Sequence, residues 1–398
     1  MKRILILGGN FFQKTAIIRA KELGYYVITA DYLPNNPGHK YADEYHNVST
    51  TDKEAILELA QNLMVDGILS YASDVSAPTA AYVSEKMGLP TNPYYSVETL
   101  VNKGQFREFM KKNGLDMISG EVFSDINDAK KYAHEYGYPI MVKPVDSSGS
   151  KGVTKLEDER DFEEAFNYAK SYSLSEQVIV EKFIQKKGYQ IDGDGFISGG
   201  VITNFNVMDQ HNNVERNPHA PIGLSYPSIQ PMQYQHKAYQ LIQEIFNRLD
   251  MRFGAFNFEY IIGMDDNIYL LEIGPRNGGN FIPDTIKWAT GVDMISASIK
   301  ACVGDTYTDD LVPKKSGVAT SYVIHSLSDG KFEKMEVDEV VLDRIKKQEL
   351  FVKEGEHIRA FRNGGDSLGC MVLEYDSIKK MNSEMDEMWN HVFIKTIK

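Results

Sequence analysis

Residues 256–276 read FNFEYIIGMDDNIYLLEIGPR. Two runs of strand character flank Asp265-Asp266, the pattern of a tight hairpin. With a two-residue loop, Met264 faces Asn267, Glu259 stands directly opposite Glu272, Ile261 opposite Leu270 and Gly263 opposite Ile268. A four-residue loop keeps this pairing and a three-residue loop slips it. Two carboxylates opposed across a hairpin lie about 5 Å apart and repel. Apolar neighbours limit relief by water, so the simplest stabiliser is a hard divalent cation, Mg²⁺ or Mn²⁺, on oxygen ligands. Two solvated glutamates on an exposed hairpin are the alternative, and spacing alone leaves both open.

Upstream, the strand YPIMVKP runs into DSSGSKGV, Asp146 to Val153. Ser147, Ser148, Gly149, Ser150 and Gly152 allow backbone N–H groups to converge on an anion and add hydroxyl donors. Lys143 and Lys151 supply positive charge. The spacing is not that of a Walker loop. A Gly/Ser loop alone is more often a surface turn, and Lys103 on the preceding helix is by default solvated. Together, however, a phosphate loop and a carboxylate pair support each other, because Mg²⁺ commonly arrives with nucleotide phosphates.

The first hundred residues alternate short apolar runs with helical patterns: ILIL, YYVITAD and GILSYASD are strands between helices. This predicts a parallel sheet. Its ligand-facing strand ends are Gly8-Gly9-Asn10, Asp31 and Ser73-Asp74. The G-x-G-x-x-G spacing of dinucleotide binders is absent. A single helix is expected from Ser96 to Asn113-Gly114, and a small α+β segment beyond Gly304. The 398 residues carry a net charge of −13, which argues against a nucleic-acid footprint. No apolar run approaches the ~18 residues of a membrane helix. Cys302 and Cys370 make neither a disulfide framework nor a zinc quartet. MKRILILGGN reads as a first strand rather than a leader, so a cytoplasmic location is expected.

In order, these motifs resemble the ATP-grasp superfamily, in the branch of carboxylate–amine ligases related to carbamoyl-phosphate synthase, biotin carboxylase and amino-acid ligases. The resemblance implies an α/β and α+β protein in three parts. These are an N-terminal parallel α/β domain (1–95), a two-part ATP-grasp domain (96–305, with a central subdomain at about 115–185 that carries the lid) and a C-terminal β-rich extension (306–398). It implies ATP and Mg²⁺ (or Mn²⁺) as cofactors. Lys103 in NKGQFREFM and Lys143 in MVKP would reach the phosphates, with Ser147, Ser148, Gly149, Ser150 and Gly152 as the lid. VIVEKFI would be the hinge, with Glu181, the backbone of Lys182 and Phe183, and Ile184 near adenine. Glu259 and Glu272 match the metal carboxylates. Arg276 is the implied catalytic residue, with the Gly278-Gly279 backbone beside the substrate.

Two positions depart from the family pattern. Gln190 stands where a ribose-binding glutamate is usual, with Asp192 and Asp194 as candidate replacements. Gly274 stands where many relatives have a metal-binding asparagine. In the polar stretch NVERNPHAPIG, Arg216 and His219 are candidates for an acceptor pocket or for a surface loop. The implied activity is phosphorylation of a carboxylate and capture of the acyl phosphate by an amine, on small molecules such as an amino acid or related carboxylate. A bicarbonate-dependent carboxylase and a non-catalytic ATP-binding module are the alternatives. Small-molecule substrates are the expected partners, without nucleic acid or membrane and with room for a homodimer.

Overall fold

The computed structural model describes residues 1–115, 118–213, 217–218 and 220–397. The N-terminal strands β1 (Arg3–Leu7), β2 (Tyr26–Ala30), β3 (Glu44–His46) and β4 (Gly67–Ser70) form a parallel sheet in the order β3-β2-β1-β4. Their apolar runs are buried by helices α1 (Phe11–Glu22), α2 (Lys53–Asn62) and α3 (Ala77–Met87), as a sheet covered on both faces requires.

The expected helix over 96–113 is two helices, α4 (Tyr94–Val101) and α5 (Lys103–Lys112). Asn102 breaks it: its backbone is extended, and its side chain caps α5 by accepting from Gln105 N–H at 3.0 Å. The Lys103 N–H donates to Val145 at 2.8 Å, which fixes the start of α5.

A small antiparallel sheet follows, with β5 (Gly120–Phe123), β6 (Ile140–Pro144), β7 (Thr154–Leu156) and β8 (Val178–Lys182) in the order β5-β8-β6-β7. Next come β9 (Gln190–Ser198), β10 (Val201–Asn212), β11 (Pro221–Tyr226), β12 (Phe253–Ile262) and β13 (Ile268–Gly274). After them, β14 (Val318–Ile324), β15 (Gly330–Val337), β16 (Ile345–Leu350), β17 (His357–Ile358), β18 (Gly369–Tyr375) and β19 (Val392–Ile397) divide between two sheets. One has eight strands, β13-β12-β9-β10-β11-β14-β18-β16, and the other is β17-β15-β19. Strands on both sides of residue 305 therefore share one sheet.

The period of two along β12 sorts its side chains. Phe256, Phe258 and Tyr260 are fully buried with Ile242, Ile245 and Phe246 of the helix Met232–Arg248. Asn257, Glu259 and Ile261 face the main cavity. Truncating one of these buried aromatics would cost about 3–5 kcal/mol, so the core fixes which face carries the carboxylate.

The β12–β13 register corrects the hairpin expectation in part. The loop has three residues: Gly263 N–H donates to Asn267 at 2.9 Å, and Asp266 sits in the left-handed region at φ 63°. Near the turn the pairs are Ile262–Ile268 and Ile261–Tyr269, in place of Gly263–Ile268 and Ile261–Leu270. A bulge at Leu271 then takes up one residue and restores the pairing of Glu259 with Glu272.

Candidate active site

A cavity of about 860 Å³ lies between the N-terminal sheet, the small sheet and the eight-stranded sheet. On one side α5 presents Lys103 and Arg107, four residues apart and so on one helix face. Lys103 Nζ is 3.0 Å from Glu272 and donates to the Ser147 carbonyl at 2.9 Å. Burial works against its ammonium, but Glu272, with Asp74 and Glu259 behind it, holds the pKa above the usual lysine range.

Arg107 was not singled out in the sequence, yet it ties the site together. Its guanidinium donates to the Leu270 and Leu271 carbonyls at 3.0 and 2.9 Å, the backbone of the bulge, and to Glu181 at 2.7 Å. Lys143 Nζ contacts the other Glu181 oxygen. Burial pushes the Glu181 carboxyl up, but these two cations outweigh it and bring it down to about 2. Lys143 has only a share of one anion, so burial wins there and its pKa falls. The only signal for Arg107 was its helical spacing from Lys103.

Glu259 and Glu272 are directly opposed, as expected. Burial, then Glu272 and Asp192, raise the Glu259 pKa well above the carboxylate range. Burial opposes ionisation of Glu272 as well, but Lys103 keeps its pKa low. One charged and one charge-averse carboxylate side by side make a donor set that a divalent cation would satisfy. Among the described residues no three His, Cys, Asp or Glu side chains converge on a metal position.

Ser147, Ser148, Gly149 and Ser150 line the cavity. Gly152 does not: at φ +72° it turns the chain against Ala169 and Pro144. Lys182, Phe183 and Ile184 also line it. The Lys182 and Phe183 N–H groups are already engaged, by Ser119 at 2.9 Å and Pro139 at 3.3 Å. Ile118, Ile184, Ile261 and Leu271 form an apolar slot at this end of the cavity. Gln190 donates to Glu259 at 2.8 Å, which places its amide beside the carboxylate pair.

The opposite end is built by Arg276. Asp74, from the end of the N-terminal sheet, grips it bidentately at 2.8 and 2.5 Å. Burial opposes the guanidinium charge, and Asp74 more than restores it. This pair accounts for Gly274: a Cβ there would meet Asp74 Oδ1 at 2.7 Å and Arg276 Cζ at 2.9 Å. Gly278 lies behind the cavity wall and donates its N–H to Asp194 at 2.8 Å, whereas Gly279 lines the cavity. Asp194 is fully buried by this contact; Asp192 lines the cavity. Burial raises both carboxyls to about 7. Arg216 and His219 lie outside the described residues.

Among the described residues, no helix is long and apolar enough to cross a membrane.

Comparison with known proteins agrees with this geometry. Residues 102–309 match the family described as "Carbamoyl-phosphate synthase L chain, ATP binding domain". The formate-dependent phosphoribosylglycinamide formyltransferase of Burkholderia mallei is 30% identical over 289 residues, covering 69% of each chain. Among solved structures, the L-amino acid ligase from Bacillus licheniformis superposes with a TM-score of 0.83 at 19% identity, covering 100% of this chain and 99% of the other. Phosphoribosylglycinamide synthetase from Anaerococcus prevotii gives 0.77 at 20% identity with both chains fully covered. The match spans over half of the chain and contains both glutamates, both lysines, the lid and Arg276. The chain therefore belongs to the carbamoyl-phosphate synthase L chain ATP-binding family, in the carboxylate–amine ligase branch of the ATP-grasp superfamily, enzymes that form C–N bonds with release of ADP and phosphate.

Proposed function

We propose that this protein is an ATP-dependent carboxylate–amine ligase that acts on small molecules through an acyl phosphate. The observation that carries this reading is the opposition of Glu259 and Glu272 next to Lys103, restored by the bulge that Arg107 holds. In this reading residues 1–95, 96–305 and 306–398 are the working units. ATP lies with its base in the apolar slot and its triphosphate under Ser147–Ser150. When bound at Glu259 and Glu272, Mg²⁺ supplies neutralisation of phosphate charge. Lys103 and Lys143 hold the phosphate oxygens in line with the acceptor carboxylate. Arg276 offers its outward N–H to the acceptor end, and the Gly279 backbone borders it.

The γ-phosphoryl group then passes to the substrate carboxylate, and ADP leaves. An amine attacks the acyl carbon, phosphate departs, and an amide remains. The lid excludes water, which would otherwise hydrolyse the acyl phosphate. Positioning and electrostatics do most of this work, so no strong general base is needed at the first step. An amino acid or related carboxylate is the acceptor class we favour, because the Arg276 guanidinium beside the Gly279 backbone suits a small carboxylate.

The test is ADP and phosphate release from Mg-ATP with pooled amino acids, small carboxylic acids and bicarbonate, with product masses read in parallel. A condensed mass that needs both a carboxylate and an amine is the expected result. Release with bicarbonate alone would move the enzyme to the carboxylases. Failure to bind ATP would overturn the reading entirely.

A further inference from the structure

On one face of the eight-stranded sheet, Gln190, Asp192 and Asp194 of β9 lie beside Asn257 and Glu259 of β12. Asp192 pairs with Glu259, and Asp194 with Asn257. On the far side of β12, Glu259 meets Glu272 and Asn257 meets Gly274. One row thus leads to the glutamate pair and the next to the turn that holds Arg276. Asp192 belongs to the first row, next to Glu259, with Asp194 of the second row two residues on.

The two aspartates differ. Asp194 is fully buried and holds the Gly278 N–H and Asn257. Asp192 is 4% exposed and lines the cavity. Its Oδ1 accepts from Gly193 N–H at 2.6 Å and from Asn257 Nδ2 at 2.8 Å. Its Oδ2 has no hydrogen-bond partner among the described residues. An acceptor atom that opens onto the cavity is free to take a donor from a bound molecule.

Charge decides what fits there. Arg276 is the basic residue at this end among the described ones, and Asp74 pairs with it through Nε and Nη2. The cavity's described lysines all lie on α5, β6, β7, the lid and the hinge, at the nucleotide end. An amino group needs an unpaired carboxylate oxygen, which Asp192 has. We infer that Asp192 receives the amino group of the acceptor, and that the acceptor is an amine-bearing small molecule. Arg276 Nη1, whose one contact is the Asn277 carbonyl at 3.3 Å, is left to meet a carboxylate of the same molecule. The inference rests on the ligase reading for the identity of this end as the acceptor end.

Saturation-transfer NMR on the full chain with saturating Mg-ADP tests it, with probes that differ in one group. L-alanine is set against L-lactate and β-alanine against propionate, with ethanolamine as an amine lacking a carboxylate and glycerol 3-phosphate and ribose 5-phosphate as phosphorylated probes. At least one amine should bind where its amine-free partner does not, and Asp192→Asn should weaken that binding tenfold or more. Mg-ADP affinity should stay within twofold in the variant. Equal amine binding to both proteins would overturn the inference, as would binding by the phosphate esters alone or by no probe. A tenfold loss of Mg-ADP affinity would also overturn it, by making Asp192 a contact of the ribose or of the metal. The alanine–lactate comparison needs only the wild type, so it stands even if the variant does not fold. If the wild type fails to bind Mg-ADP the ligase reading falls, while the amine comparison without nucleotide still tests Asp192.

Discussion

Glu272 sits among charges: Lys103 on one side, Glu259 across the hairpin, Arg276 beyond. Glu272→Gln keeps the shape and removes the charge. Mg-ATP turnover should fall at least a hundredfold, about 2.7 kcal/mol or more, with an unchanged circular dichroism spectrum; turnover near wild type would remove the metal role. Gly274 is the residue whose meaning the sequence half disclosed. Its departure from the family pattern was visible, but the cause lies in Asp74, 202 positions from Arg276. Gly274→Asn should not restore a third metal ligand. Its side chain would drive Asp74 and Arg276 apart, so stability should drop by about 1–3 kcal/mol, the usual cost of overpacking. A gain in Mg²⁺ affinity without loss of melting temperature would contradict this.

At the scale of elements, the opposed glutamates were legible for a reason that was only partly right. A two-residue loop was expected and three residues are present, and the bulge at Leu271 cancels the slip. Alternation and Asp-Asp punctuation mark a hairpin, but they do not mark a bulge, whose stabiliser is Arg107 on α5, 164 residues before Leu271. Arg107→Lys cannot serve two carbonyls and Glu181 together. It should cost about 3–5 kcal/mol, the scale for breaking a buried charged network, and weaken Mg-ATP binding through the register; unchanged urea midpoint and ATP affinity would refute the link. The same network sets a pH dependence. The Glu181 carboxyl sits at about 2 in the folded chain, below the ordinary ~4.3 of an unfolded glutamate. Its stabilisation is therefore present above about pH 4.3 and is lost as pH falls from there toward 2. Melting temperature measured against pH should show this loss in the wild type and lack it in Glu181→Gln, which will be less stable at neutral pH; parallel profiles would refute the assignment.

For the whole molecule, the parallel sheet, the grasp strands and the order of motifs were readable because each follows from local periodicity. What joins the parts was not, because it is made by residues far apart in sequence. Asp386 binds His211 at 2.7 Å and Tyr189 at 2.6 Å, and so couples the C-terminal segment to β10 and to the residue just before β9. The clearest such joint is at the lid: Gly364 N–H donates to the Gly149 carbonyl at 3.0 Å. A Cβ on Gly364 would meet that oxygen at 3.3 Å and Gly149 Cα at 3.5 Å, so the close approach leaves no room for a branched side chain. Gly364→Val should therefore hold the lid away from this turn while leaving both carboxylates and both lysines in place. KM for ATP should rise roughly tenfold, about 1.4 kcal/mol, because the lid no longer closes fully over the triphosphate. Water should then reach the acyl phosphate, so more ADP is released per product formed. The ratio of ADP to condensed product, measured at saturating ATP, separates this from a general loss of fold, which would lower both together. A ratio equal to wild type would show that the lid closes without the C-terminal turn, and that the contact merely brings two glycines together.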